Sequence, residues 1–187
     1  CLTMATMIQS SHASEQSIPF VGMYMTYNAN VQGTFRGTPF TIDGKFTIKY
    51  TELSAKNEMK TAISGEASVL GKVYSGSGRM RINVLTRETY AYYDGEWIGV
   101  GATPLWIGEN HAIGDSVSIF NLTETLSTPI TKKITGLYLD CWVIKESLDR
   151  IIPYYGVDYR IVGSITAYYE KLTGILVGIE GKVKVFS

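Results

Sequence analysis

Phe40-Thr-Ile-Asp-Gly-Lys-Phe-Thr-Ile-Lys-Tyr50 decides how this chain is read. Apolar and polar residues alternate on both sides of Asp43-Gly44, the period-two pattern of a strand with one buried face. Asp-Gly can take the φ > 0 conformations of a type I′ turn, so the segment reads as a β-hairpin. The same style recurs outward along the chain. Arg87–Tyr93, Asp94-Gly95 and Glu96–Val100 form a second expected hairpin. Ile165–Tyr169, the turn Glu170-Lys-Leu-Thr-Gly174 and Ile175–Ile179 form a third. Met80–Leu85, Ser116–Phe120 and Leu137–Ile144 add further strands, with Ser75-Gly-Ser-Gly78 and Ser64-Gly65-Glu66 read as turns. Helix signals are weak, at Glu52–Lys60 and in a short turn from Ser147 to Tyr155 ended by Pro153. Met59–Ile63 reads equally well as a strand. The expectation is an all-β domain, an antiparallel sheet that curls or folds into a β-sandwich.

The first twenty residues differ from this body. Cys1-Leu-Thr-Met-Ala-Thr-Met-Ile8 is apolar and Gln9–Ser17 is polar, with no turn-and-strand rhythm. Residues 1–20 are therefore assigned to an N-terminal extension and 21–187 to one β-rich domain. An apolar extension on a β protein is expected to dock on a sheet, its own or a neighbour's. Leu2, Met4, Met7 and Ile8 would make the contact. Leu2, Met4, Thr6 and Ile8 share one parity and Met7 breaks it, which leaves the register open. Two other readings of this end stand beside it. Ser11-His12-Ala13 has the small-residue pattern of a signal-peptidase site. Cys1 at the start matches what lipoprotein processing leaves, with lipid on Cys1.

Composition narrows the function classes. The chain of 187 residues is 45% hydrophobic and 18% charged, with Lys+Arg 17 against Asp+Glu 17. Charged residues usually make up about 25%, and the deficit, with abundant Tyr, Thr, Ser and Gly, fits an extracellular or cell-surface β protein. A zero balance argues against nucleic acid, whose binders carry a basic footprint. No run reaches the ~18 apolar residues of a transmembrane helix. Cys1 and Cys141 are too few for a metal cluster; they are candidates for a disulfide, or Cys1 for lipid attachment. His12 and His111 lie outside any ligand-spaced motif. No nucleophile elbow or phosphate loop appears, so no catalytic, metal or cofactor residue is assigned. Scattered carboxylates, among them Asp94, Glu96, Asp140, Asp149 and Glu170, read as solvated turn acids. The aromatics Tyr90, Tyr92, Tyr93, Trp97, Trp106, Trp142, Tyr154, Tyr155, Tyr168 and Tyr169 are either core or the lining of a ligand-binding concavity. Asn121-Leu-Thr123 is a glycosylation sequon.

Ala167-Tyr-Tyr-Glu-Lys-Leu-Thr-Gly-Ile-Leu-Val177 resembles a segment of archaeal extracytoplasmic proteins, Tyr-Tyr-Asp-Lys-x-Thr-Gly-Leu-Leu-Val. Asp140-Cys-Trp-Val-Ile144 and Gly114-Asp-Ser-Val117 are similar to further segments of those proteins, so the likeness spans residues 114–180. It implies a mostly antiparallel extracytoplasmic β protein and no reaction. Glu170 stands where that family has Asp, so the side-chain bond to the turn backbone is expected to be longer or absent. In plan, the extension resembles those of subunits of archaeal threads and bundling pili, where one subunit's extension completes the next subunit's sheet. The leading expectation is thus a structural subunit of an extracellular filament, a homopolymer assembled by donor-strand complementation. The alternative is a lipid-anchored or secreted β-sheet protein that binds an apolar ligand or partner.

Overall fold

The computed structural model describes residues 6–7, 19–35, 38–69, 71–154 and 157–186. Two antiparallel meanders make up one sheet. The first comprises β2 (Tyr24–Phe35), β3 (Thr38–Leu53), β4 (Glu58–Val69), β5 (Lys72–Asn83), β6 (Glu88–Tyr93) and β7 (Glu96–Ala102). The second comprises β10 (Ile130–Ile134), β11 (Leu137–Tyr154), β12 (Val157–Glu170) and β13 (Leu176–Phe186). A parallel contact, Val185 against Phe35, joins the meanders. Between them in sequence, β8 (Ser116–Ile119) and β9 (Leu122–Thr125) form a separate hairpin. A short strand, β1 (Thr6–Met7), pairs with β2. The all-β, curled antiparallel sheet expected from the sequence is what the chain forms, and no helix occurs among the described residues. None is therefore long and apolar enough to cross a membrane.

The core lies at one end of the sheet. Met25, Tyr27, Ile48, Tyr50, Met59 and Ile82 face inward from consecutive strands of the first meander. Trp142, Ile144, Tyr169 and Leu176 face them from the second. The crossing segment after β7 fills the space between, through Leu105, Trp106, Ile107, Val117 and Leu126. Arg87 fastens that segment: its guanidinium donates to the carbonyls of Thr103 (2.7 Å) and Ser118 (2.9 Å). Away from the core, β2–β5 and β11–β13 continue as sheet whose residues are mostly exposed or half-buried.

Several turn assignments from the sequence are corrected. Asp43-Gly44 is no turn, because β3 runs unbroken from Thr38 to Leu53 with β2 and β4 on either side. Gly44 pairs with Ala29 and Ala67 and is not in the left-handed region. Neighbours on both edges satisfy its backbone as ladder, which overrides the local turn preference. Ser64-Gly65-Glu66 and Ser75-Gly-Ser-Gly78 are likewise interior to β4 and β5. At Gly65 a Cβ would lie 2.8 Å from Phe46 Cβ. Phe46 stacks on Tyr27 at 4.9 Å between ring centroids, so this glycine leaves room for an aromatic neighbour. Ser147–Tyr154 belongs to β11, and Pro153 sits near the strand's end opposite Asp158. Glu52–Lys60 is no helix but the end of β3, a turn at 54–57 and the start of β4. Ser54 Oγ accepts from the amides of Lys56 (3.2 Å) and Glu58 (3.3 Å), and Asn57 takes φ 59°.

The other two expected hairpins form. Asp94 (φ 47°) and Gly95 (φ 88°) turn β6 into β7. Glu170 opens the β12–β13 turn, and here the expected loss of a side-chain bond does not occur. Its carboxylate accepts from the amides of Leu172 (3.0 Å) and Thr173 (2.8 Å) and from Thr173 Oγ1 (2.6 Å). The extra methylene of Glu is absorbed by reaching residues two and three places on.

A second, smaller apolar cluster lies on the opposite face of the C-terminal meander, where Ile134, Cys141, Val143, Tyr168 and Val177 pack together. Beside it, Lys132 Nζ donates to Glu180 (2.5 Å), Tyr168 Oη donates to the same carboxylate (2.8 Å), and Lys132 sits over the Tyr168 ring. Burial alone would raise the Glu180 pKa, but the bonds from Lys132 and Tyr168 outweigh it and hold the group below its ordinary 4.5. A carboxylate depressed in this way stabilises the fold above its unfolded pKa, and that contribution is lost as pH falls through the folded value. Wild type should therefore exceed Glu180→Gln in unfolding free energy at pH 7, with the gap closing below about pH 4. Urea unfolding at both pH values checks this, and a gap independent of pH would contradict it.

Candidate functional site

The junction between the two meanders is the candidate site. On one edge β2 is paired with β3 at every position from Tyr24 to Phe35. On the other edge, among the described residues, its ladder partners are Val185 at the far end and β1 near the core. β1 pairs antiparallel there, Thr6 opposite Tyr27 and Met7 opposite Thr26. The junction between the meanders is thus bordered by β2 on one side and β13 on the other. A row of main-chain donors and acceptors along a strand edge is a template for another strand.

The junction has a built base near the core. Tyr27 is fully buried, and its hydroxyl donates toward Leu176 O across the junction (3.4 Å) and toward Met25 Sδ (3.3 Å). Burial, reinforced by neighbouring Tyr50 and Tyr169, pushes its pKa well above the usual tyrosine value, so the hydroxyl remains a donor at any physiological pH. The β13 side is occupied near the core by the crossing segment. Ile107 N donates to Gly174 O and Leu176 N to Leu105 O, both at 2.9 Å. Tyr169 Oη donates to Pro104 O (3.0 Å), which holds that segment in place. On the β2 side, β1 is the segment seated at the junction.

Of the residues expected to dock, Met7 lies in β1 opposite Thr26. Leu2, Met4 and Ile8 fall outside the described residues, as do Cys1, His12 and Tyr155. Cys141 is a free thiol, fully buried beside Val143 and Tyr168. Burial pushes its pKa up to about 11, which keeps it protonated and unreactive. Asn121 is exposed in the tight turn between β8 and β9, preceded by Phe120 at φ 52°. Its carboxamide oxygen faces the Cα of Gly101. His111 is half-buried: Nε2 lies 2.9 Å from Ile107 O and Nδ1 3.5 Å from Asp115. Asp149 is held by Arg160 and Glu146 by Arg150. Trp106, Trp142 and Tyr169 are core, and Tyr168 belongs to the smaller cluster, so these four line no concavity. Among the described residues no three His, Cys, Asp or Glu side chains gather as metal ligands. Comparison with protein-family models, with curated proteins and with solved structures finds no match to this chain.

Sequence reasoning missed the junction because a parallel contact between the first long strand and the last has no local signature. A weak signal existed in Met23, Met25 and Tyr27, whose alternation marks β2 as a core strand. Nothing in the sequence named its neighbour.

Proposed function

We propose that this protein is the structural subunit of an extracellular filament, in which the N-terminal extension of one copy adds as a strand to β2 of the next. The observation that carries this reading is the pairing of β1 with the edge of β2 opposite β3. The chain's own N-terminal segment is complementary to that edge, and its antiparallel register is defined. Residues 8–23 connect β1 to β2, and their length permits the segment to seat on its own sheet or on a neighbour's. Exchange of an identical element between copies costs little, because the same contacts form in both states. A head-to-tail exchange that does not close gives a filament. Main-chain bonds would supply affinity, and burial of apolar side chains at about 25 cal/mol per Å² would add to it.

In this reading Asn121, at an exposed turn, is available as a glycan acceptor on the filament surface. The resemblance of residues 114–180 to archaeal extracytoplasmic proteins supports the same location. The test is addition of a synthetic peptide of residues 1–20 to growing assemblies. Binding to the protein and shortening of filaments in proportion to peptide concentration is expected. Assembly unaffected by saturating peptide would refute the strand-addition step.

A further inference from the structure

The outer face of β5–β7 carries a second surface that strand addition does not use. Register places Arg79, Arg81, Tyr90, Tyr92 and Trp97 on the side opposite the core residues Met59, Ile82 and Thr89. The Arg79 guanidinium lies 4.1 Å from the Tyr92 ring centroid. The Arg81 guanidinium is 4.9 Å from both the Tyr90 and the Trp97 rings. Tyr92 and Trp97 meet edge to face at 5.2 Å. The other described arginines are engaged with oxygen: Arg87 with two carbonyls, Arg150 with Glu146, Arg160 with Asp149. Arg79 and Arg81 have no carboxylate partner among the described residues, and Arg81 Nε is buried without any hydrogen-bond partner. Rings hold the two guanidinium groups, and among the described residues no oxygen takes their terminal N–H groups. A planar fork of donors fixed in this way matches carboxylate or sulfate oxygens.

The neighbouring residues extend the surface. Lys49 and Ala62 lie in line with Arg79 across β3 and β4, and Tyr24 continues the line on β2. In the adjacent line Thr26, Thr47, Ser64 and Ser77 are in register across four strands, with Thr26 and Thr47 joined by their hydroxyls at 3.0 Å. Strands are about 4.8 Å apart, so a chain lying across them meets one hydroxyl per strand. That repeat is close to the advance of one pyranose ring in an extended polysaccharide.

We infer that this face binds an acidic polysaccharide, with Arg79 and Arg81 on its anionic groups and the hydroxyl line under its sugar rings. The zero net charge of the whole chain disfavours nucleic acid as the polyanion, since binding there is dominated by phosphate neutralisation. Binding of the full chain to polygalacturonate, dextran sulfate, neutral dextran and poly(dT) tests the assignment. Polygalacturonate and dextran sulfate should bind and neutral dextran should not. Arg79→Gln/Arg81→Gln should weaken both acidic polymers at least tenfold while the unfolding temperature stays near wild type. Trp97→Phe, which keeps a ring under Arg81, should retain most binding, whereas Trp97→Ala should lose several-fold. Absence of binding to either acidic polymer, equal binding by the arginine variant, or tighter binding to poly(dT) than to both would overturn it.

Discussion

Gly174→Val should unfold at a far lower temperature than wild type, while Lys171→Ala should be nearly silent. Gly174 sits at φ +66°, which a β-branched residue tolerates poorly. A Cβ there would lie 1.8 Å from Gly108 O, a backbone atom that cannot rotate away. The crossing segment would have to retreat, and it carries the bonds Ile107 N to Gly174 O and Leu176 N to Leu105 O. Trp106, buried against Tyr50 at 6.3 Å between centroids, would move with it. Backbone strain and core disruption together place the loss at about 4 kcal/mol or more. Lys171 is exposed, with its ammonium 5.7 Å from the Trp142 ring. Its truncation should cost within about 0.5 kcal/mol. Thermal unfolding followed by tryptophan fluorescence checks both variants. Equal losses would mean that Gly108 does not pack against this turn.

Removal of residues 1–20 should abolish assembly and leave the domain folded. β1 contributes two ladder positions to β2. Main-chain bonds contribute about 1 kcal/mol each, so the loss of β1 itself should cost only about 1–3 kcal/mol of stability. Buried Pro19 and half-buried Phe20, which packs against the core and accepts from Met23 N, go with it, while the strand residues of the core from Met25 to Leu176 remain. Size-exclusion chromatography should show a monomer, circular dichroism an unchanged β signature, and negative-stain images no filaments. Filaments of normal length from the truncated chain would remove the extension from the assembly mechanism.

The hairpins at Asp94-Gly95 and Glu170–Gly174 were legible because alternation and turn chemistry agree there. Asp43-Gly44 carries the same signal and lies inside a strand, since a pair of residues cannot report that neighbours wait on both edges. Glycine marks turns, but at Gly65 it makes space beside Phe46 within a strand; Gly76 and Gly78 lie in the β5 ladder with open space around them. The docking segment was legible as an apolar anomaly, though its partner strand was not. Pairing of β1 with β2 bridges residues with no turn signal between them, and that of β13 with β2 joins positions at opposite ends of the chain. The arginine–aromatic surface was written in the sequence as Arg79-x-Arg81 and Tyr90-x-Tyr92, two same-face pairs on adjacent strands. Reading them together needed the β5–β6 register.

The central claim, that the N-terminal strand seats on the β2 edge of another copy, can be measured by directed cross-linking. Met7 and Thr26 are directly opposite one another, a pairing whose Cα separation of about 4.5–5.5 Å suits a disulfide. One preparation would carry Met7→Cys and a second Thr26→Cys, each with Cys1→Ser to remove the competing thiol. Co-assembly under mild oxidation should give covalent dimers joined between the two variants. Cross-links that form only when both cysteines occupy the same chain, with none between the mixed variants in assembled material, would contradict the account.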